Sequence, residues 1–135
     1  MADFRKVTDR LSVSPQITAE EARTAAQQGF ALIIDNRPDG EAPGQPTAQA
    51  VEAAARAAGA DFLYLPIMGR PTDEQARRQQ QAVAQASGPV LAYCRSGTRS
   101  ITAWALGEAQ GGASRDELIR LGAEAGYDLG PILPG

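Results

Sequence analysis

Histidine is absent from the sequence, and cysteine occurs once, at position 94. The first absence removes imidazole from every candidate mechanism. Neither a Ser-His-Asp nor a Cys-His arrangement can be built, and one thiol without imidazole cannot supply the usual zinc ligands. No metal ligands are assigned and no cofactor is expected. A lone cysteine also excludes an internal disulfide framework, so the thiol is free or pairs with another molecule. The net charge is −3, with no clustered Lys/Arg face of the kind that holds phosphate backbones. No nucleic-acid partner is expected. The first residues, "MADFRKVTDR", lack the apolar core of a secretory signal, and no run approaches the roughly 20 apolar residues of a membrane helix. These absences point to a cytoplasmic protein without a membrane partner.

What is present suits one soluble domain over residues 1–135. Hydrophobic residues make up 43% and charged residues 21% of the chain, ordinary values for a globular protein with a core of its own. "FRKVTDRLSVSPQ" alternates Val7, Leu11 and Val13 with polar neighbours, which predicts one or two short strands ending at Pro15. Thr18 and Glu21 form a capping-box pair ahead of an Ala-rich helix that stops at Gly29. "FALIID" is a short apolar run of the kind buried on both faces of a parallel sheet, and "NRPDGEAPGQP" is a turn-rich loop. A helix from Thr47 to Gly59 precedes strand "FLYLPI", and Thr72 with Gln75 opens another helix. Strand "PVLAYC" leads to helix "TRSITAWALGEAQGG", and Ser114 caps a last helix. The Gly/Pro-rich tail "YDLGPILPG" is expected to lie irregularly on the surface. Strands alternating with helices predict an α/β domain with a mainly parallel sheet of four or five strands flanked by helices.

In such sheets ligands bind beyond the carboxyl ends of the strands, where Cys94 stands. The stretch "CRSGTRS" joins that strand to the next helix. A glycine-bearing loop running into a helix N-terminus gathers backbone N–H groups into an anion nest, and a thiol at its centre is favoured as thiolate without imidazole. Cys94 is therefore the candidate nucleophile. Arg99 can fork onto a bound oxyanion, and Arg95 adds positive field at the mouth. Gly97 permits the tight backbone path, while Ser96, Thr98 and Ser100 offer hydroxyls to the sulfur or the substrate. The plainer alternative is a buried core cysteine beside solvated arginines.

"FRKVTDRLSVSPQITAEE", "ALIIDNRPDGE", "YLPI" and "YCRSGTRS", in this order and spacing, resemble the bacterial beta-lactamase-hydrolase-like, phosphatase-like domains. The resemblance covers nearly the whole chain. It implies the fold of dual-specificity cysteine phosphatases, with Cys94 at the base of the anion loop. It also implies a label of sulfurtransferase in some relatives and fusion to metallo-β-lactamase-type partners, hence a persulfide-metabolising partner of that type.

Two departures weigh on the chemistry. Cysteine phosphatases place five residues between Cys and Arg, whereas only Arg95, Ser96, Gly97 and Thr98 separate Cys94 from Arg99, which makes the loop similar to that of rhodaneses. Phosphatases of this fold also use an Asp after the strand matching "FLYLPI". Here the nearest acids are Asp73 and Glu74, whose place in the first helical turn suits the helix dipole. Asp35 and Asp39 are other candidate acids, set against a strand-end role for Asp35 and a turn at Asp39-Gly40, and Arg37 either lines the pocket or is a surface charge. Sulfur transfer needs no general acid, because sulfite or a low-pKa thiolate leaves readily. The expectation is therefore a rhodanese-like sulfurtransferase. It would move a sulfane sulfur from a small anionic donor, thiosulfate or a persulfide, through a Cys94 persulfide to a thiol acceptor. A phosphatase acting through a phosphocysteine and a non-catalytic oxyanion- or partner-binding module are the alternatives.

Overall fold

The computed structural model describes residues 2–134. Five strands and five helices follow one another as β1 (Arg5–Lys6), β2 (Leu11–Ser14), α1 (Ala19–Gln27), β3 (Leu32–Asp35), α2 (Ala48–Ala57), β4 (Asp61–Tyr64), α3 (Asp73–Gln85), β5 (Val90–Tyr93), α4 (Thr98–Gln110) and α5 (Arg115–Glu124). They form one α/β domain with the sheet order β1-β2-β5-β3-β4. The β1–β2 pair is antiparallel and the other three pairings are parallel.

The apolar runs are buried on both faces because helices cover both. Ile33, Leu91 and Phe62 pack with Ile17, Ala22 and Val51 under α1 and α2. Ile34 and Ala92 point the other way, joining Ile101, Trp104 and Leu118 from α4 and α5. Strand alternation thus divides consecutive apolar residues between two cores, each fully buried aliphatic side chain contributing roughly 1.5–3 kcal/mol. The helix starts follow the local signals. Thr18 Oγ1 accepts from the Glu21 N–H and Thr72 Oγ1 from the Gln75 N–H, each with the reciprocal bond of a capping box. Ser114 caps α5, and Thr47 caps α2 by accepting from the Ala50 N–H.

Two local expectations change. Strand "FLYLPI" leaves the ladder after Tyr64, since Pro66 has no N–H to donate, yet Leu65 and Ile67 still donate to the Asp35 and Asn36 carbonyls. The C-terminal segment is irregular but not superficial. Leu129 is 0% exposed and Leu133 6%, both in the core beneath α4 and α5. Arg115 and Arg70 bind its carbonyls at Gly130 and Ile132. Two leucines supply enough apolar surface to hold a segment without periodic structure. No helix among the described residues is long and apolar enough to cross a membrane.

Parallel pairing decides where chemistry can gather. Ser14, Tyr93, Asp35 and Tyr64 end their strands in register, so the loops that follow all open on one edge of the sheet.

Candidate active site

Cys94 follows β5 directly and is 1% exposed. Its own N–H donates to the Ser14 carbonyl at 3.4 Å, which pins the Cys94 backbone to the end of β2. The loop then reverses through Gly97, whose φ of +93° lies in the left-handed region open to glycine, and α4 begins at Thr98. Any larger residue would also be blocked, because a Cβ at position 97 would stand 2.1 Å from Tyr127 Oη. Gly97 donates its N–H to Cys94 Sγ at 3.1 Å. Among the described residues, no hydrogen bond engages the amide N–H groups of Arg95, Ser96, Arg99 or Ser100. The loop therefore holds one amide on the sulfur and keeps four more free, the donor-rich arrangement that stabilises an anion at a helix start.

Arg99 is held by groups from two other loops. Its Nη1 donates to Glu41 Oε2 and to the Ile67 carbonyl, each at 2.8 Å, and its Nη2 donates to Glu41 Oε1 at 2.8 Å. Of the five N–H groups of a guanidinium, the Nε–H and one on Nη2 remain. These two lie parallel on one edge of the plane and match two oxygens of a tetrahedral oxyanion. The guanidinium pKa is raised, first by Glu41 and further by the charge of Cys94 nearby. In turn, the Arg99 and Arg37 hydrogen bonds hold the Glu41 carboxyl down at about 2, so it stays anionic. Glu41 lies in the turn-rich loop after β3. Sequence reading passes over it because nothing local distinguishes it from a solvated acid.

Arg37 is not a surface charge. It is 5% exposed, with Nε on Glu41 Oε1 at 3.0 Å and Nη1 on Gln16 Oε1 at 3.1 Å. Gln16 also donates its N–H to the Arg95 carbonyl at 3.2 Å, tying the segment after β2 to the anion loop. The Ser100 hydroxyl turns away from the sulfur and donates to Asn36 Oδ1 at 2.7 Å. Asn36 Nδ2 donates to the Leu65 carbonyl, so this residue ties α4 and the segment after β4 to the end of β3 beneath the site. Ser96 and Thr98 are exposed and bond each other through their hydroxyls at 2.9 Å, and Arg95 is exposed at the mouth.

Among the described residues, neither Asp35 nor Asp73 hydrogen-bonds to residues 94–100. Asp35 is 2% exposed and accepts from the Arg37 N–H at 2.8 Å, opposite Tyr93 in register. Burial pushes its pKa up to about 6, against the lowering effect of the Arg37 amide. None of the groups shaping it belongs to residues 94–100. Asp73 is exposed at the first position of α3, and its carboxylate makes no hydrogen bond or ion pair among the described residues. It complements the helix dipole, as its position predicts.

The family model of the beta-lactamase hydrolase-like protein, phosphatase-like domain, matches residues 3–111. The chain belongs to this family. Beta-lactamase hydrolase-like proteins of Agrobacterium fabrum and Xylella fastidiosa are each 40% identical to it over 126 residues, 92% of this chain. The chain spans 29% of the length of these curated relatives. Among solved structures, a candidate phosphatase from Neisseria meningitidis is 34% identical, covers 97% of this chain and 94% of its own, and superposes with a TM-score of 0.87. Tk-PTP in its active form is 21% identical over 93% of this chain and 86% of its own, with a TM-score of 0.70. PTPMT1, in complex with PI(5)P, is 18% identical over 87% of this chain and 80% of its own, with a TM-score of 0.71. The last two likenesses establish the cysteine-phosphatase fold alone. In this phosphatase-like domain, Cys94 and Arg99 flank the turn from β5 into α4.

Proposed function

We propose that the domain is a cysteine-dependent phosphatase that hydrolyses phosphomonoesters through a phosphocysteine at Cys94. The observation that carries this reading is the Arg99 fork. Glu41 and the Ile67 carbonyl fix the guanidinium, and two parallel N–H groups stay free beside the thiol. The family description and the phosphatase description of the Neisseria meningitidis structure support it over the sulfur transfer expected from the short loop and the lack of a placed acid. In the first step Cys94 Sγ, as thiolate, attacks phosphorus; the P–O bond breaks and its electron pair leaves with the ester oxygen, which takes a proton from water. In the second step water attacks phosphorus, the P–S bond breaks, and inorganic phosphate departs as the thiolate returns. Loop amides and Arg99 stabilise the equatorial oxygens in both transition states. Among the described residues the carboxyl with a raised pKa, Asp35, is not bonded to residues 94–100, so leaving groups that depart as stable anions are preferred and aryl phosphates react faster than alkyl phosphates.

Sulfur transfer is the second reading, favoured by the four-residue spacing between Cys94 and Arg99. There Cys94 thiolate attacks the outer sulfur of thiosulfate, the S–S bond breaks, sulfite leaves, and the persulfide passes its sulfur to a thiol acceptor. That role would pair the domain with a persulfide-metabolising metallo-β-lactamase-type partner. Intact-mass measurement after rapid quenching separates the two. A phosphoryl adduct formed from p-nitrophenyl phosphate, absent in Cys94→Ser, supports the phosphatase. One added sulfur from thiosulfate without a phosphoryl adduct replaces it with the transferase. Neither adduct, with no turnover, leaves the non-catalytic anion-binding module.

A further inference from the structure

The amide that reaches the sulfur is set from outside the loop, by a residue beyond the span matched to the family. Tyr127 follows α5, in the segment whose Leu129 and Leu133 are buried in the core. Its hydroxyl donates to the Ser96 carbonyl at 2.8 Å. The next group along the chain, the Gly97 N–H, donates to Cys94 Sγ at 3.1 Å. Ser96 C=O and Gly97 N–H belong to one planar trans peptide unit and therefore point in opposite directions. The structure contains no cis peptide bond among the described residues. Holding the oxygen outward thus holds the hydrogen inward.

We infer that Tyr127 is a positioning residue for the nucleophile, and that its hydrogen bond to the Ser96 carbonyl turns the Gly97 N–H onto Cys94 Sγ.

Tyr127 is held in place: its own N–H donates to the Gly122 carbonyl at 2.8 Å. The Arg5 guanidinium lies 5.1 Å from the centroid of its ring and is itself bound by Asp3. Gly122 gives Leu129 its space, since a Cβ there would stand 2.6 Å from Leu129 Cδ1. Tyr127 Oη in turn fills the position that any side chain at residue 97 would need. The phenol pKa is raised, first by burial, with the Cys94 charge adding to the shift, so Tyr127 remains a donor through the neutral range. A free peptide unit between Ser96 and Gly97 could rotate, because glycine permits φ of either sign, and the N–H would then leave the sulfur. The C-terminal segment thereby sets the reactivity of a thiol 33 residues earlier in the chain.

The test reads the thiol directly and does not depend on whether the reaction is phosphate hydrolysis or sulfur transfer. Iodoacetamide alkylation of Cys94 is followed from pH 5 to 9 in the wild type, in Tyr127→Phe and in a protein carrying 3-fluorotyrosine at position 127. Phenylalanine keeps the ring on Arg5 and removes only the donor, so the midpoint of the alkylation profile moves upward by about one-half to one pH unit. Fluorotyrosine, a stronger donor, moves it downward. A Tyr127→Phe protein that melts near the wild type with a superimposable profile overturns the inference, as does a fluorotyrosine profile that shifts with phenylalanine. Should Tyr127→Phe fail to fold, the direction of the fluorotyrosine shift decides alone.

Discussion

At the scale of single residues, two carboxyl groups near the sheet edge have opposite electrostatic fates. Glu41 receives three guanidinium hydrogen bonds and is held at about 2, whereas Asp35 has one backbone donor, is buried, and is raised to about 6. A depressed carboxyl contributes stability that is present above its ordinary pKa and is lost as pH falls through the folded value; Glu41 therefore contributes at neutrality and fades toward pH 2. A raised carboxyl does the reverse. The contribution of Asp35 is complete below about pH 4 and is lost as pH rises through about 6. Asp35→Asn should thus be more stable than the wild type at pH 7.5, by about 2 kcal/mol, and no more stable at pH 4, which urea unfolding at the two pH values measures. Glu41→Gln removes the charge that fixes the Arg99 plane. Its kcat/KM on p-nitrophenyl phosphate should fall about 10- to 100-fold, the scale of one charge-assisted pair, and Cys94 alkylation should persist.

At the scale of elements, the site depends on how a strand hands over to a helix. β5 ends at Tyr93 and α4 starts at Thr98, which leaves four residues to turn, expose amides and place an arginine one position into the helix. Gly97→Ala combines a strained left-handed φ with the collision against Tyr127 Oη. We expect activity to be lost in this variant even in protein that remains folded, as circular dichroism and turnover measured on one sample would reveal. Helix starts elsewhere are independent of the chemistry. Thr72→Ala breaks the capping box of α3 and should cost about 0.5–2 kcal/mol in denaturant unfolding while kcat stays within about twofold of the wild type. These starts are legible in the sequence because a cap and its partner lie three residues apart. The end of β4 is less so, since Leu65 and Ile67 keep sheet-like bonds around a proline that cannot donate.

At the scale of the whole molecule, two cores separated by one sheet bring the strand ends into register, and the C-terminal segment closes one of them. Leu129→Ala should destabilise the protein by about 2–5 kcal/mol, the cost of deleting a fully buried leucine, although the surrounding sequence reads as a surface tail. Thermal unfolding of this variant against an alanine at exposed Pro131 checks it. By itself the sequence determined the alternation of strands and helices, the helix caps, the exclusion of imidazole chemistry, and the close spacing of Cys94 and Arg99. All of these are local: a periodic pattern, a pair three to five residues apart, or a missing residue type. Tertiary structure alone decided that Glu41 grips Arg99 from 58 residues away, that Tyr127 binds the loop at Ser96 from 31 residues away, and that the buried Asp35 carboxyl takes the Arg37 amide. Those partners sit on irregular segments with no periodicity to announce them. What selects them is the parallel register that sets four strand ends side by side, together with the requirement that charges at that edge find partners.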